Sequence, residues 1–343
     1  MILRTKTRRA IFARAAVLAA LAFLSIAVVA PAFAQYTLTS LVTTSQDPNL
    51  VNGWGMAYAT GGPFWIADEG TGKSTVYNAT GGIVPLVVTV PPAVSGKGHP
   101  TGLVANSTTG FVISQNGNSG PANFIFATMD GTISGWNSSV NANSAVIAVN
   151  NHATANYTGL TIATVGANTF IYACNQAKNQ IEIYDSTFTL TSTFTDTTLT
   201  GLKVYGVQAI NGKIYVTFDG SAGGAVDIFS PSGKLIRPLT KNGSKGPLLA
   251  PWAVALAPST FGTFSGDLLV GNVNNGQIHA VNPKSGKVVG VLKDTTGKVI
   301  TIPGLWALLF GGGSVANNGN TNQLFFAAGT SNYKTGEFGV INP

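Results

Sequence analysis

Six short runs of this chain stack on one another: WGMAY at Trp54, TGLVA at Thr101, TGLTI at Thr158, YGVQA at Tyr205, WAVAL at Trp252 and WALLF at Trp306. Their second column reads Gly55, Gly102, Gly159, Gly206, Ala253, Ala307, and their third Met56, Leu103, Leu160, Val207, Val254, Leu308. The copies stand 47, 57, 47, 47 and 54 residues apart. A period near 50 with several strands per unit is the signature of a β-propeller, and six units mean six blades. The small column has a steric cause. Innermost strands crowd a common axis, where anything larger than a methyl group collides, while the next position packs outward between blades.

The rest of each unit agrees. No long stretch shows the i, i+3, i+4, i+7 spacing of an amphipathic helix. A second apolar strand follows each copy: PFWIAD, GFVISQ, TFIYACN, KIYVTFD, DLLVGN and QLFFAAG. In most units a third strand then runs into a Gly-, Asn- or Pro-rich turn. The sixth unit ends at GEFGVINP with three strands. The alternating run YTLTSLVTT, Tyr36 to Thr44, is otherwise unassigned. It is expected to complete the last blade, close the ring and cover exposed edges. The fold class is therefore all-β, a six-bladed β-propeller closed by its N-terminal mature strand. A sandwich or jelly roll has no reason to repeat six times.

Residues 1–34 read as a signal peptide, leaving 35–343 as a single propeller domain. Arg4, Lys6, Arg8, Arg9 and Arg14 precede an apolar run and the small-x-small pattern Ala32-Phe33-Ala34. The apolar run is too short and Ala-rich for a membrane span, which needs about 20 residues. The Arg pair in TRRAIF lacks the residues that usually follow a twin-arginine pair. The chain has 19 Lys and Arg against 12 Asp and Glu. Removing five basic residues leaves 19 − 5 = 14, so the net charge falls from +7 to +2. The basic balance thus belongs to the leader, and a nucleic-acid partner is not expected. Nor is a stable membrane span expected after cleavage. The expected location is outside the cytoplasm, periplasmic or extracellular. Charged residues are 9% of the chain, against about a quarter in ordinary domains. One cysteine, Cys174, excludes an internal disulfide and reads as a buried thiol in FIYACN.

In a propeller, loops entering the inner strands and loops leaving the second strands share one face, around the channel mouth. On that face fall Asp68 and Glu69, Ser114 and Gln115, Asn175, Asp219, Asn272 and Gly329 at second-strand exits. Asp47, Asn49, Asn52, His99, His152 and Asn156 fall on incoming loops. Two readings of these positions stay open. Asn and Asp are standard turn residues. Alternatively, Asp68, Asn175, Asp219 and Asn272 offer the oxygen ligands that suit a hard cation such as Ca2+. Such an ion would polarise water or an ester carbonyl, with His99 or His152 moving the proton, as in a lactonase- or phosphotriesterase-like hydrolase. The chain has no GxSxG, HExxH, CxxC or phosphate-binding glycine loop, and two histidines fall short of a three-ligand zinc set. The leading expectation is a non-enzymatic binding or scaffold module whose mouth takes a polysaccharide, peptide or envelope protein.

The stretches DPNLVNGWGMAY, GPFWIADEGTGKSTVYN, FIFATMDGTISGWN, NYTGLTIA and KIYVTF together resemble a family of exported bacterial proteins, some with a C-terminal PEP-CTERM sorting tail. The resemblance covers most of the mature chain. It implies a six-bladed propeller outside the cytoplasmic membrane and no particular activity. The chain stops at Ile341-Asn342-Pro343, so sorting through that tail is not expected. More distantly the fold is similar to NHL-repeat and lactonase-type propellers, a likeness that carries no function by itself.

Overall fold

The computed structural model describes residues 36–343; the segment read as a signal peptide lies outside them. Six four-stranded antiparallel sheets follow one another along the chain. The inner strands are Gly53–Tyr58, Pro100–Ala105, Tyr157–Val165, Lys203–Ile210, Pro251–Leu256 and Leu305–Phe310. The small column encircles one axis. A Cβ on Gly55 would sit 2.4 Å from the Thr101 carbonyl oxygen, one on Gly102 would sit 2.4 Å from the Leu160 nitrogen, and one on Gly206 would sit 2.3 Å from the Trp252 carbonyl oxygen. Each glycine therefore lets its strand touch the backbone of the next blade.

The two flanking columns have separate tasks. Met56, Leu103, Leu160, Val207, Val254 and Leu308 enter six different hydrophobic clusters, one in each wedge between neighbouring blades. The column before the glycines lies at a β-bulge in every blade. Register shifts fall between Gly53 and Met56, Pro100 and Gly102, Tyr157 and Gly159, Val204 and Gly206, Pro251 and Ala253, and Leu305 and Ala307. A bulge leaves one residue out of the ladder and re-aims its side chain. Here it frees Trp54, Thr101, Thr158, Tyr205, Trp252 and Trp306 toward the axis.

The N-terminal strand closes the ring as expected. Thr37–Thr43 pairs antiparallel with Thr335–Asn342 as the outer strand of the sixth blade, from Thr37 opposite Asn342 to Thr43 opposite Glu337. Tyr36 anchors its start, donating its hydroxyl to the Phe261 carbonyl at 3.0 Å. Val42 is buried in the wedge shared with the first blade.

One strand assignment needs correction. GFVISQ is not the second strand of the second blade; Phe124–Thr128 is. Val112–Gln115 instead pairs with Asn118–Pro121 as a separate hairpin. Its Asn116-Gly117 turn has φ of 51° and 83°, the pair that a two-residue hairpin demands. This insertion accounts for the long 57-residue interval. Ser114 and Gln115 therefore leave the set of second-strand exits, and Thr128, Met129 and Asp130 take their place.

Candidate functional site at the channel mouth

Aromatic rings from four blades fill the mouth. Trp54 and Trp306 stack at 3.5 Å and 15°. Trp252 meets both edge-on, at 6.4 and 6.2 Å. Tyr205 lies 6.1 Å from Trp306. The Trp252 Nε1 donates to the Thr158 carbonyl at 2.7 Å, tying the fifth blade to the third. Trp54 and Trp306 are only 5% and 4% exposed, so they form a plug, not an open platform. The ring that faces solvent is Tyr333, 43% exposed and 5.7 Å from Trp306. Its loop holds Ser331, Asn332 and Tyr333 at φ of 52°, 54° and 64°. Three successive non-glycine residues in the left-handed region store strain of roughly 1–3 kcal/mol each.

A polar relay runs from the plug to the rim. Trp306 Nε1 donates to Asn52 Oδ1 at 2.8 Å, and Asn52 Nδ2 donates to Glu69 Oε2 at 2.8 Å. Glu69 Oε1 then meets His99 Nδ1 at 2.5 Å. The His99 amide reaches Asp130 Oδ1 at 3.3 Å, and Asp130 Oδ2 accepts from the Ala93 amide at 2.7 Å. Glu69 and His99, distant in sequence, are thus brought together as a carboxylate–histidine pair, with the His99 side chain 38% exposed.

The other nominated residues go elsewhere. His152 is exposed on its own loop. Asn175 donates to the buried Glu182 at 2.8 Å, and its Oδ1 accepts from the Asn156 amide. Asp219 accepts from the Ala250 amide at 3.1 Å, and Asn272 donates to the Pro247 carbonyl at 2.7 Å. These three exits therefore tether incoming loops, which is turn chemistry. Asp68 ends its strand on the same side as Phe64 and Ile66, in the wedge between the sixth and first blades. It is fully buried, and neither carboxylate oxygen has a hydrogen bond of good geometry among the described residues. Burial first, then the nearby Asp47 charge, hold its carboxyl well above the usual carboxylate range, against a partial offset from Thr75. Among the described residues no three His, Cys, Asp or Glu side chains gather as a metal-binding group.

Behind the plug the channel continues as a cavity of about 270 Å3, lined by the glycine and aliphatic columns and by none of Asp68, Glu69, His99, His152, Asn175, Asp219 and Asn272. The sequence shows Trp54 and Trp252 at the starts of inner strands beside the entry loops; what that reading did not draw was the whole bulged column, four aromatics and two threonines directly before the small residues. Asp130 and Tyr333 gave no comparable sign.

No protein-family model matches the chain. It is similar to an uncharacterised protein of Acanthamoeba polyphaga mimivirus, 27% identical over 304 residues, covering 82% of this chain and 72% of the relative. A second uncharacterised mimivirus protein is 30% identical over 215 residues; the match covers 57% of this chain and 39% of that relative's length. These relatives are viral and lend no support to the bacterial, PEP-CTERM-bearing family. Among solved structures, a luciferin-regenerating enzyme matches with a TM-score of 0.56 at 12% identity, covering 90% of this chain and 95% of that one. A streptogramin B lyase gives 0.53 at 12%, covering 90% and 97%. A glucose dehydrogenase gives 0.54 at 11%, covering 90% and 99%. At such identity the likeness is one of fold, and these propellers differ in chemistry. The chain is a six-bladed β-propeller.

Proposed function

We propose that the protein is an exported binding module whose channel mouth holds a polysaccharide. The observation that carries this reading is Tyr333, an exposed ring fixed over a buried aromatic plug by three strained left-handed residues. Strain of that kind persists where the surroundings impose it, and it concentrates at binding sites. An exposed ring beside polar side chains suits a sugar, which offers an apolar face and a rim of hydroxyls. Glu69 and His99 supply the polar partners. Export rests on residues 1–34 alone.

Calorimetric titration of the chain beginning at Gln35 against a panel of soluble polysaccharides tests the reading. Saturable heat is expected with at least one, weakened tenfold or more by Tyr333→Ala, a loss on the scale of about 1.4 kcal/mol. No heat with any member, or heat unaffected by the substitution, overturns it.

A second reading draws on the Trp306–Asn52–Glu69–His99 relay. A histidine oriented through Nδ1 by a carboxylate presents Nε2 as a general base. That suits the hydrolase alternative with His99 as the proton carrier. Turnover of ester or lactone substrates that His99→Ala abolishes would favour it.

A further inference from the structure

A second carboxylate cluster lies away from the mouth, in the wedge between the third and fourth blades. Asp196 follows the outer strand Leu190–Phe194 of the third blade, and Asp227 sits in the third strand Gly223–Phe229 of the fourth. Asp227 alternates with Ala225 and Phe229, which face that wedge. The two residues are 4% and 1% exposed. Their carboxylates are neighbours. Asp196 Oδ1 is fixed by the Thr198 amide at 2.8 Å and hydroxyl at 2.7 Å. Among the described residues, Asp196 Oδ2 and both Asp227 oxygens have no hydrogen-bond partner, and the Thr195 hydroxyl is also buried without one. The Leu239 amide stands near Asp227 without closing a hydrogen bond of good geometry.

The next wedge shows what a self-sufficient buried carboxylate looks like in this chain. Glu182 is 1% exposed and accepts from Tyr157, Tyr184, Asn175 and Gln180, at 2.8, 2.8, 2.8 and 3.1 Å. Buried polar atoms are nearly always paired, and Asp227 lacks every such partner. Asp196 also lies on the wall of a surface cleft of about 500 Å3, bounded by Thr195, Thr197, Leu199 and Leu202 among others, which gives an ion a route in.

We propose that Asp196 and Asp227 form a divalent-cation site of the calcium class, which clamps the third blade to the fourth. The donors are oxygens only: two carboxylates and water. Calcium accepts such irregular sets, whereas magnesium demands near-ideal octahedral geometry. The facing charges are Asp196, Asp227 and the ammonium of Lys241, which is exposed on the outer strand Leu235–Lys241. With both carboxylates ionised they sum to −1, so a divalent ion is attracted while the lysine weakens it. Affinity on the order of 10⁻⁴–10⁻³ M is expected, as in extracellular calcium modules. Burial, and then its contact with Asp196, push the Asp227 carboxyl up to about 8.

The test is thermal unfolding and calorimetry of the chelator-treated mature chain with calcium chloride, alongside Asp227→Asn, Asp196→Asn and Asp68→Asn. Calcium should raise the Tm of the wild type and of Asp68→Asn, and leave the other two unmoved. Calorimetry should show saturable calcium binding by the wild type that Asp227→Asn abolishes. Circular dichroism establishes that each variant is folded. Absence of any calcium-dependent shift in the wild type, or an equal shift in a folded Asp227→Asn, overturns the proposal.

Discussion

Gly159 stands apart from its neighbours in the small column. A methyl group there would lie 3.4 Å from the Val207 nitrogen, an ordinary contact, whereas at Gly55, Gly102 and Gly206 it would meet rigid backbone within 2.4 Å. Gly159→Ala is therefore expected to be neutral or to stabilise by about 0.5–1 kcal/mol, by reducing unfolded-state freedom. Gly102→Ala should cost about 1–3 kcal/mol through forced backbone displacement. Urea unfolding of the two variants checks the contrast, and equal effects would contradict the ring geometry. Asp68 yields a pH prediction. A carboxyl whose pKa is raised by folding contributes most stability below its unfolded value, near 3.8, and that contribution is lost as pH rises. Asp68→Asn should thus unfold at a higher temperature than wild type at pH 7, with the advantage vanishing near pH 4. The small column was legible in the sequence because backbone sterics leave few residue choices. The surroundings of Asp68 were not, since residue type alone does not say whether a strand-end carboxylate turns toward the mouth or into a wedge.

The outer strand of the last blade and the third strand of the third blade show two ways an element is held. Thr37–Thr43 contributes a full antiparallel ladder to strands at the opposite end of the chain. A chain beginning at residue 47 should leave the edge of Thr335–Asn342 unpaired, melt at lower temperature and aggregate; thermal melting with light scattering decides, and an unchanged profile would contradict the closure. In Gln180–Tyr184, burial pushes the Glu182 carboxyl up, yet its four donors outweigh that and hold it below the usual range. Glu182→Gln should cost about 1.5–3 kcal/mol at pH 7. The gap should narrow as pH falls below the unfolded glutamate range, because the stability due to a lowered pKa is lost in acid. Closure by the N-terminal strand was legible from an alternating run with no other home. The hairpin Val112–Gln115 with Asn118–Pro121 was misread, because its first strand has the composition of a blade strand and only the Asn-Gly turn marks it as an insertion.

Across the whole molecule, six bulges turn six side chains to one axis and close one end of the channel. The repeat period made the architecture legible. The mouth was only half legible, since the plug depends on bulges and the Glu69–His99 pair joins loops 30 residues apart. The five tryptophans supply a built-in map. Trp54, Trp252 and Trp306 belong to the plug, while Trp65 and Trp136 pack between the first and second blades. The most direct measurement is therefore an NMR titration of the indole N–H resonances of the chain beginning at Gln35 with a polysaccharide it binds. The account predicts that Trp306 and its plug partners shift with saturation while Trp65 and Trp136 stay fixed. Shifts confined to Trp65 and Trp136, with the plug silent, would place the ligand on the flank of the blades and contradict it.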